Sequence, residues 1–171
     1  MKTAEKLRKE NLAEYLLYMW QIEDILRACR CDMEVVKQHI LPGFPEEDRK
    51  QEELWLSDLC NMMHTEAVTE RGHLQINKNV MQELTEKHNM LLASPKYPHY
   101  SAAYYNALPF IVELRAKAGS EAAPEIETCF NALYGELLLK LQHKPVSKGT
   151  KEAMEAISKL IGTLVRMKIE E

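Results

Sequence analysis

The sequence predicts an all-α protein, an antiparallel helical bundle of about six to seven helices forming a single domain over residues 1–171. Three observations predict it. Apolar residues recur at helical spacing almost from end to end, and no run competes with them at strand period. Aromatics make up only 7% of the chain, and the 6 glycines and 7 prolines are too few for the many turns of a sandwich or barrel. Most of these glycines and prolines stand where helices would begin or end.

The first helix is read over Thr3–Arg30. Tyr15, Tyr18, Ile22, Ile25 and Cys29 form one stripe on it, and Leu12, Leu16, Met19 and Leu26 a second. Two stripes cover more than a surface helix needs, so this helix is expected to be central, with neighbours on two sides. A short helix follows over Asp32–Leu41, with Asp32 as its N-cap, and Pro42-Gly43-Phe44-Pro45 ends it. Pro45 suits a first helical position and Glu46, Glu47 and Asp48 a first turn, so the next helix should run to about Arg71, with Leu54, Trp55, Leu59, Met62, Met63 and Ala67 as its apolar positions. Gly72 then caps or breaks it.

Ile76, Val80, Leu84, His88 and Leu91 mark one face of a helix over Ile76–Ala93. The segment Ser94–Tyr105 is the compositional outlier, with Pro95, Pro98 and four of the chain's 7 tyrosines. The two prolines impose extended or turn geometry before them. A further helix reaches Ala118, with Pro109 kinking or splitting it, and Gly119 ends it. Pro124 opens a helix to Gln142 whose stripe is Ile126, Phe130, Leu133, Leu137 and Leu141. Thr150 is expected to cap the last helix, with Met154, Ile157, Ile161, Leu164 and Met167 facing inward.

Composition narrows function more by exclusion than by indication. The formal net charge is -4, and the basic residues Lys2, Lys6, Arg8 and Lys9 are interleaved with Glu5 and Glu10, so no nucleic-acid partner is expected. No apolar run is long enough to span a bilayer, and the charged start lacks the apolar stretch of a signal peptide. Cys29-x-Cys31 is too tight for zinc-knuckle spacing, and Cys60 and Cys129 lie on apolar helix faces. The four thiols fit a reduced, cytoplasmic protein without a membrane partner.

Candidate chemistry is sparse. Cys60 and His64 share a helix face at i, i+4 and would need His73, His88 or Glu70 to complete a metal site. Glu70-x-x-His73 has half of a di-iron spacing but encloses Gly72, and no second copy exists. No metal and no cofactor are therefore expected. His88, on an apolar stripe, reads as a hydrogen-bonded core histidine. Tyr97, His99, Tyr100 and Tyr104 could line a small-molecule pocket, or could pack their segment onto the bundle. On the first helix Glu14, Gln21, Glu23 and Asp24 stand among large apolar residues, with Asn131 and Tyr134 as candidate partners if that face is buried. Glu23 and Arg27 are spaced as an i, i+4 ion pair. No nucleophile with an assignable base, no glycine-rich phosphate loop and no catalytic fingerprint occurs.

The stretches AEYLLYMWQIEDILRA (Ala13–Ala28) and EIETCFNALYGELLLKLQ (Glu125–Gln142) resemble a family of small uncharacterised bacterial proteins, a domain of unknown function, and the resemblance extends over nearly the whole chain. It implies a helical cytoplasmic protein, brings no activity or cofactor, and draws interest to Trp20, Glu23, Asp24, Asn131 and Tyr134. The sequence thus predicts a non-enzymatic interaction module acting as a homodimer; the alternative is a small-molecule-binding bundle or an enzyme built on the tyrosine segment.

Overall fold

A computed structural model describes residues 1–170. Among them the chain is all-helical, with eight α-helices, three short 3-10 turns and no strand. The helices are α1 (Lys2–Glu10), α2 (Leu12–Ala28), α3 (Met33–His39), α4 (Arg49–Thr65), α5 (Gln75–Ala93), α6 (Pro98–Ala118), α7 (Glu125–Leu141) and α8 (Lys148–Arg166). The chain forms two compact units, Met1–Val80 and the residues from Met81 onward, and the division falls inside α5.

The expected first helix is two helices. Asn11 is extended (φ -155°, ψ 102°), and its side-chain carbonyl accepts the backbone N–H groups of Ala13 and Glu14, both at 3.1 Å. Asparagine here offers the backbone a cap in place of a continued helix. Left-handed backbone at Arg30 and Cys31 (φ 56° and 53°) then turns the chain after α2. Asp32 caps α3 as the sequence predicts, accepting from Glu34 N–H at 2.9 Å.

Two expected boundaries move. Glu46–Asp48 form a separate 3-10 turn before α4, so the acidic residues precede the helix. Helix α4 stops at Thr65 and not at Arg71, because Ala67 is left-handed (φ 57°) and Gly72 is too (φ 91°). Its buried face is Glu52, Leu56, Leu59, Cys60 and Met63, while Leu54, expected inside, is 61% exposed. In the first unit Leu56, Leu59, Cys60 and Met63 join Met19, Ile22 and Leu26 of α2, Val36 of α3 and Leu74 in one core. Buried Glu52 accepts the Met1 amino group at 2.5 Å, which offsets the desolvation of its carboxyl.

In the second unit α8 packs on both α6 and α7. Met154, Ile157, Leu160, Ile161 and Leu164 are buried on α8, as are Ala103, Ala107 and Ile111 on α6, and Ile126 and Phe130 on α7. Met167 lies beyond the end of α8 and is half-buried. The cap of α8 is Ser147 and not Thr150; the Ser147 hydroxyl accepts Thr150 N–H at 3.2 Å. Pro109 does not split α6. It lies on the exposed side, where the carbonyl it deprives of a partner can turn to water.

Candidate functional site

In the first unit, Trp20, Glu23, Asp24 and Arg27 occupy one face of α2 at i, i+3, i+4 and i+7. That face holds the connection between α4 and α5. Glu23, 1% exposed, accepts Leu74 N–H at 2.7 Å and binds His73 Nδ1 at 2.9 Å. The imidazole of His73 stacks on Trp20, with ring centroids 4.4 Å apart and an interplanar angle of 14°. Arg27 does not pair with Glu23 as its spacing predicts. Its guanidinium bonds Asp24 at 2.9 Å, donates to the Val68 carbonyl at 3.2 Å and reaches the Gly72 carbonyl. With Nδ1–H donated to Glu23, His73 has Nε2 left as its acceptor, on a side chain 30% exposed.

In the second unit the tyrosine segment is helical from Pro98 onward. Tyr100 is fully buried, and its hydroxyl shares a hydrogen bond with Nδ1 of His88. The hydroxyl of Tyr104 donates to Glu125 Oε2 at 2.7 Å, and His88 Nε2 lies 3.9 Å from the same oxygen. The tautomer that serves both neighbours carries its proton on Nε2, facing the carboxyl, and accepts the Tyr100 proton at Nδ1. Burial lowers the proton affinity of His88, partly offset by Glu125. Burial and then the Glu125 hydrogen bond push the Tyr104 hydroxyl up to about 12, and burial raises Tyr100 as well. At neutral pH the site is therefore two phenols and a neutral imidazole gathered beside one acid.

The predicted pocket residues are accordingly divided. Tyr97 is buried and accepts Glu170 N–H at 2.7 Å; Tyr100 and Tyr104 turn to His88 and Glu125; His99 is exposed and lines a separate cleft between α6 and α8. Of the residues expected to be buried polar groups, only Glu23 is. Glu14, Asp24 and Asn131 are exposed, and Gln21 and Tyr134 are half-buried, so none of these five demands an interior partner. Glu125 was not singled out by sequence reasoning; its one signal was its place directly after Pro124, in the first turn of a helix.

All four cysteines are buried, and two of them are held firmly as thiols. Cys29, Cys31 and Cys60 are buried free thiols in the first unit, and Cys60 is pushed up to about 12, first by burial and then by Cys31. Cys129, in the second unit, is pushed up to about 12 by burial and Glu125. Both stay protonated near neutrality and inert. His64 is exposed while Cys60 is buried, and no group of three or more His, Cys, Asp or Glu among the described residues is arranged to hold a metal ion. No helix among them is long and apolar enough to cross a membrane.

A model of one protein family matches residues 1–171, the whole chain. The chain belongs to that family, described as a domain of unknown function (DUF4924). No curated protein and no solved structure matches it. Family membership thus agrees with the resemblance of the α2 and α7 segments, and it assigns no chemistry to either histidine site.

Proposed function

We propose that this member of DUF4924 is a non-enzymatic association module, a single antiparallel helical-bundle domain that works by binding a second copy of itself. One observation carries the reading. From Asn131 to Leu141 not one residue of α7 is buried, although five leucines and a tyrosine lie there. The preceding turn of the same helix buries Ile126, Cys129 and Phe130. Leu133 and Leu137 continue that buried stripe yet remain half-exposed, and Leu141 is 54% exposed. Leu138 and Leu139 lie on other sides, so this half of α7 is apolar nearly all round. Such a helix is ordinarily covered, and contiguous exposed apolar surface marks an interaction site.

A second copy suits this surface better than a partner of different charge. Glu136 and Lys140 pair on the helix at 2.9 Å. Two copies of α7 crossed antiparallel about Leu138 bring Glu136 of each opposite Lys140 of the other, a self-complementary arrangement. The enzyme reading has less support, because both histidine clusters are occupied by internal partners and the thiols of Cys60 and Cys129 are held protonated.

Analytical ultracentrifugation of the full chain tests the proposal. The expected result is a dimer at about 10 μM that becomes monomeric in the Leu138→Glu/Leu141→Glu variant, with the helical circular dichroism retained. A wild-type monomer at that concentration, or a dimer indifferent to both substitutions, would overturn it.

A further inference from the structure

We infer that the cleft between α6 and α8 binds a small organic dianion, through a phosphoryl group or paired carboxylates. Its volume is about 430 Å³, within the range of small-molecule sites. His99 and Asn106 enter it from α6, and Lys159 and Arg166 from α8, with Ala103 and Thr163 between them. In both pairs the residues are seven apart, so each pair shares a helix face at a separation of about 10 Å along the axis. Asn106 also shares a neighbouring cleft with Lys159, which places these two at one end of the site, with His99 toward Arg166 at the other.

The charge balance is what identifies the ligand class. The chain carries 26 acidic residues against 22 basic ones, yet no carboxylate lines this cleft. Some exposed lysines of this unit find acids one turn away, as Lys117 does with Glu113 at 3.2 Å and Lys140 with Glu136 at 2.9 Å, whereas Lys148 and Lys151 form no such pair with Glu152 and Glu155 among the described residues. Lys159 has Glu155 at the same spacing, but no ion pair forms between them among the described residues, and Arg166 likewise pairs with no acid.

Arg166 lines this cleft and also a neighbouring one beside α7, which Gly162 lines and where a Cβ at Gly162 would lie 3.5 Å from Nη1 of Arg166. Its planar fork can meet two oxygens of one anion. Two fixed positive charges and an imidazole suit a dianion better than a singly charged ligand.

The test is a titration of the full-length protein, followed by amide and imidazole NMR shifts, with phenyl phosphate and separately with succinate. Saturable binding of at least one probe, tighter than about 10 mM, is expected, with shifts concentrated at His99, Asn106, Thr163 and Lys159. Lys159→Ala/Arg166→Ala should weaken that binding about tenfold or more, whereas removing the charges at Lys117 and Lys144 should change it less than about twofold. Ala102→Leu narrows the same cleft without altering charge and should weaken it too, so the inference does not hang on one variant's folding. The probe that binds more tightly distinguishes phosphoryl from dicarboxylate ligands. Shifts spread over the lysine-bearing surface, equal losses in both double variants, or no saturation with either probe would overturn the inference.

Discussion

The two units each contain a carboxyl–histidine pair, and the pairs are built in opposite senses. In the first, the acid is interior and the imidazole reaches solvent: Glu23 is 1% exposed and His73 30%, at 2.9 Å. In the second, the imidazole is interior and the acid reaches solvent: His88 is 5% exposed and Glu125 30%, at 3.9 Å. The buried member determines what its surroundings must supply. A buried carboxyl needs donors, and Glu23 has two, His73 Nδ1 and the Leu74 N–H just before α5. A buried imidazole is favoured uncharged, and His88 takes a hydroxyl as its nearest partner and keeps the acid at a distance. The same two residue types thus tie a connection to α2 in one unit and build a neutral interior network in the other.

The largest effect that would sharpen this contrast is expected at the buried acid. Glu23→Ala leaves the Leu74 N–H and the His73 ring without their acceptor and should lower unfolding free energy by about 3 kcal/mol in urea denaturation. Glu125→Ala removes an acid that is only partly buried and should lose about 1 kcal/mol or less. Equal losses in the two variants would erase the distinction drawn between the pairs.

How far the sequence reveals these sites depends on the distance over which each is assembled. Helix type and most inner stripes are legible because 3.6-residue periodicity is local, and His88 reads as a bonded core histidine because it falls on such a stripe. Trp20, Glu23, Asp24 and Arg27 are visible as one face of a helix, yet their partners come from roughly fifty residues later, at Val68, Gly72, His73 and Leu74. No spacing rule connects them. The i, i+4 rule names Arg27 as the partner of Glu23, but burial of that carboxyl turns it inward, and the arginine serves Asp24 and the backbone instead. The split at Asn11 is a case of local chemistry underweighted, since an asparagine carbonyl competes with the helix for the N–H groups that follow it. The tyrosine segment misleads for the opposite reason. Pro95 and Pro98 suggest a loop, whereas Pro98 stands at the first turn of α6, where proline is well tolerated.

A smaller effect follows from pH at His88. The unfolded imidazole has the ordinary value of 6.5, and burial lowers the folded one. Below about pH 6.5 the unfolded chain takes up a proton that the folded protein still refuses, so stability falls as pH drops, until the lowered folded value is reached. His88→Gln keeps a group able to bond Tyr100 but does not titrate. The other histidines are the same in both proteins, so the fall in unfolding free energy between pH 7 and pH 5.5, measured by urea denaturation, should be shallower in the variant by up to about 1.4 kcal/mol per pH unit crossed. Parallel slopes would mean that His88 is not held neutral by its burial.

The smallest effect is expected at the opposite end of the pH scale and concerns the phenol beside Glu125. Tyr104 is raised from 10.0 to about 12, so the folded protein keeps its proton where the unfolded chain begins to lose it. Its contribution is complete below pH 10 and disappears as pH rises from 10 to 12, because deprotonation then increasingly favours the unfolded state. Tyr104→Phe should flatten that alkaline decline, measured as the change in urea midpoint between pH 9.5 and pH 11. The flattening should be modest, since Tyr104 is half-buried and Tyr100 retains its own alkaline penalty in both proteins. If the substitution steepens the decline instead, Tyr104 is more readily ionised in the folded state than in the unfolded chain. The second unit's network would then carry charge at its acid end, and its contrast with the Glu23 pair would rest on His88 alone.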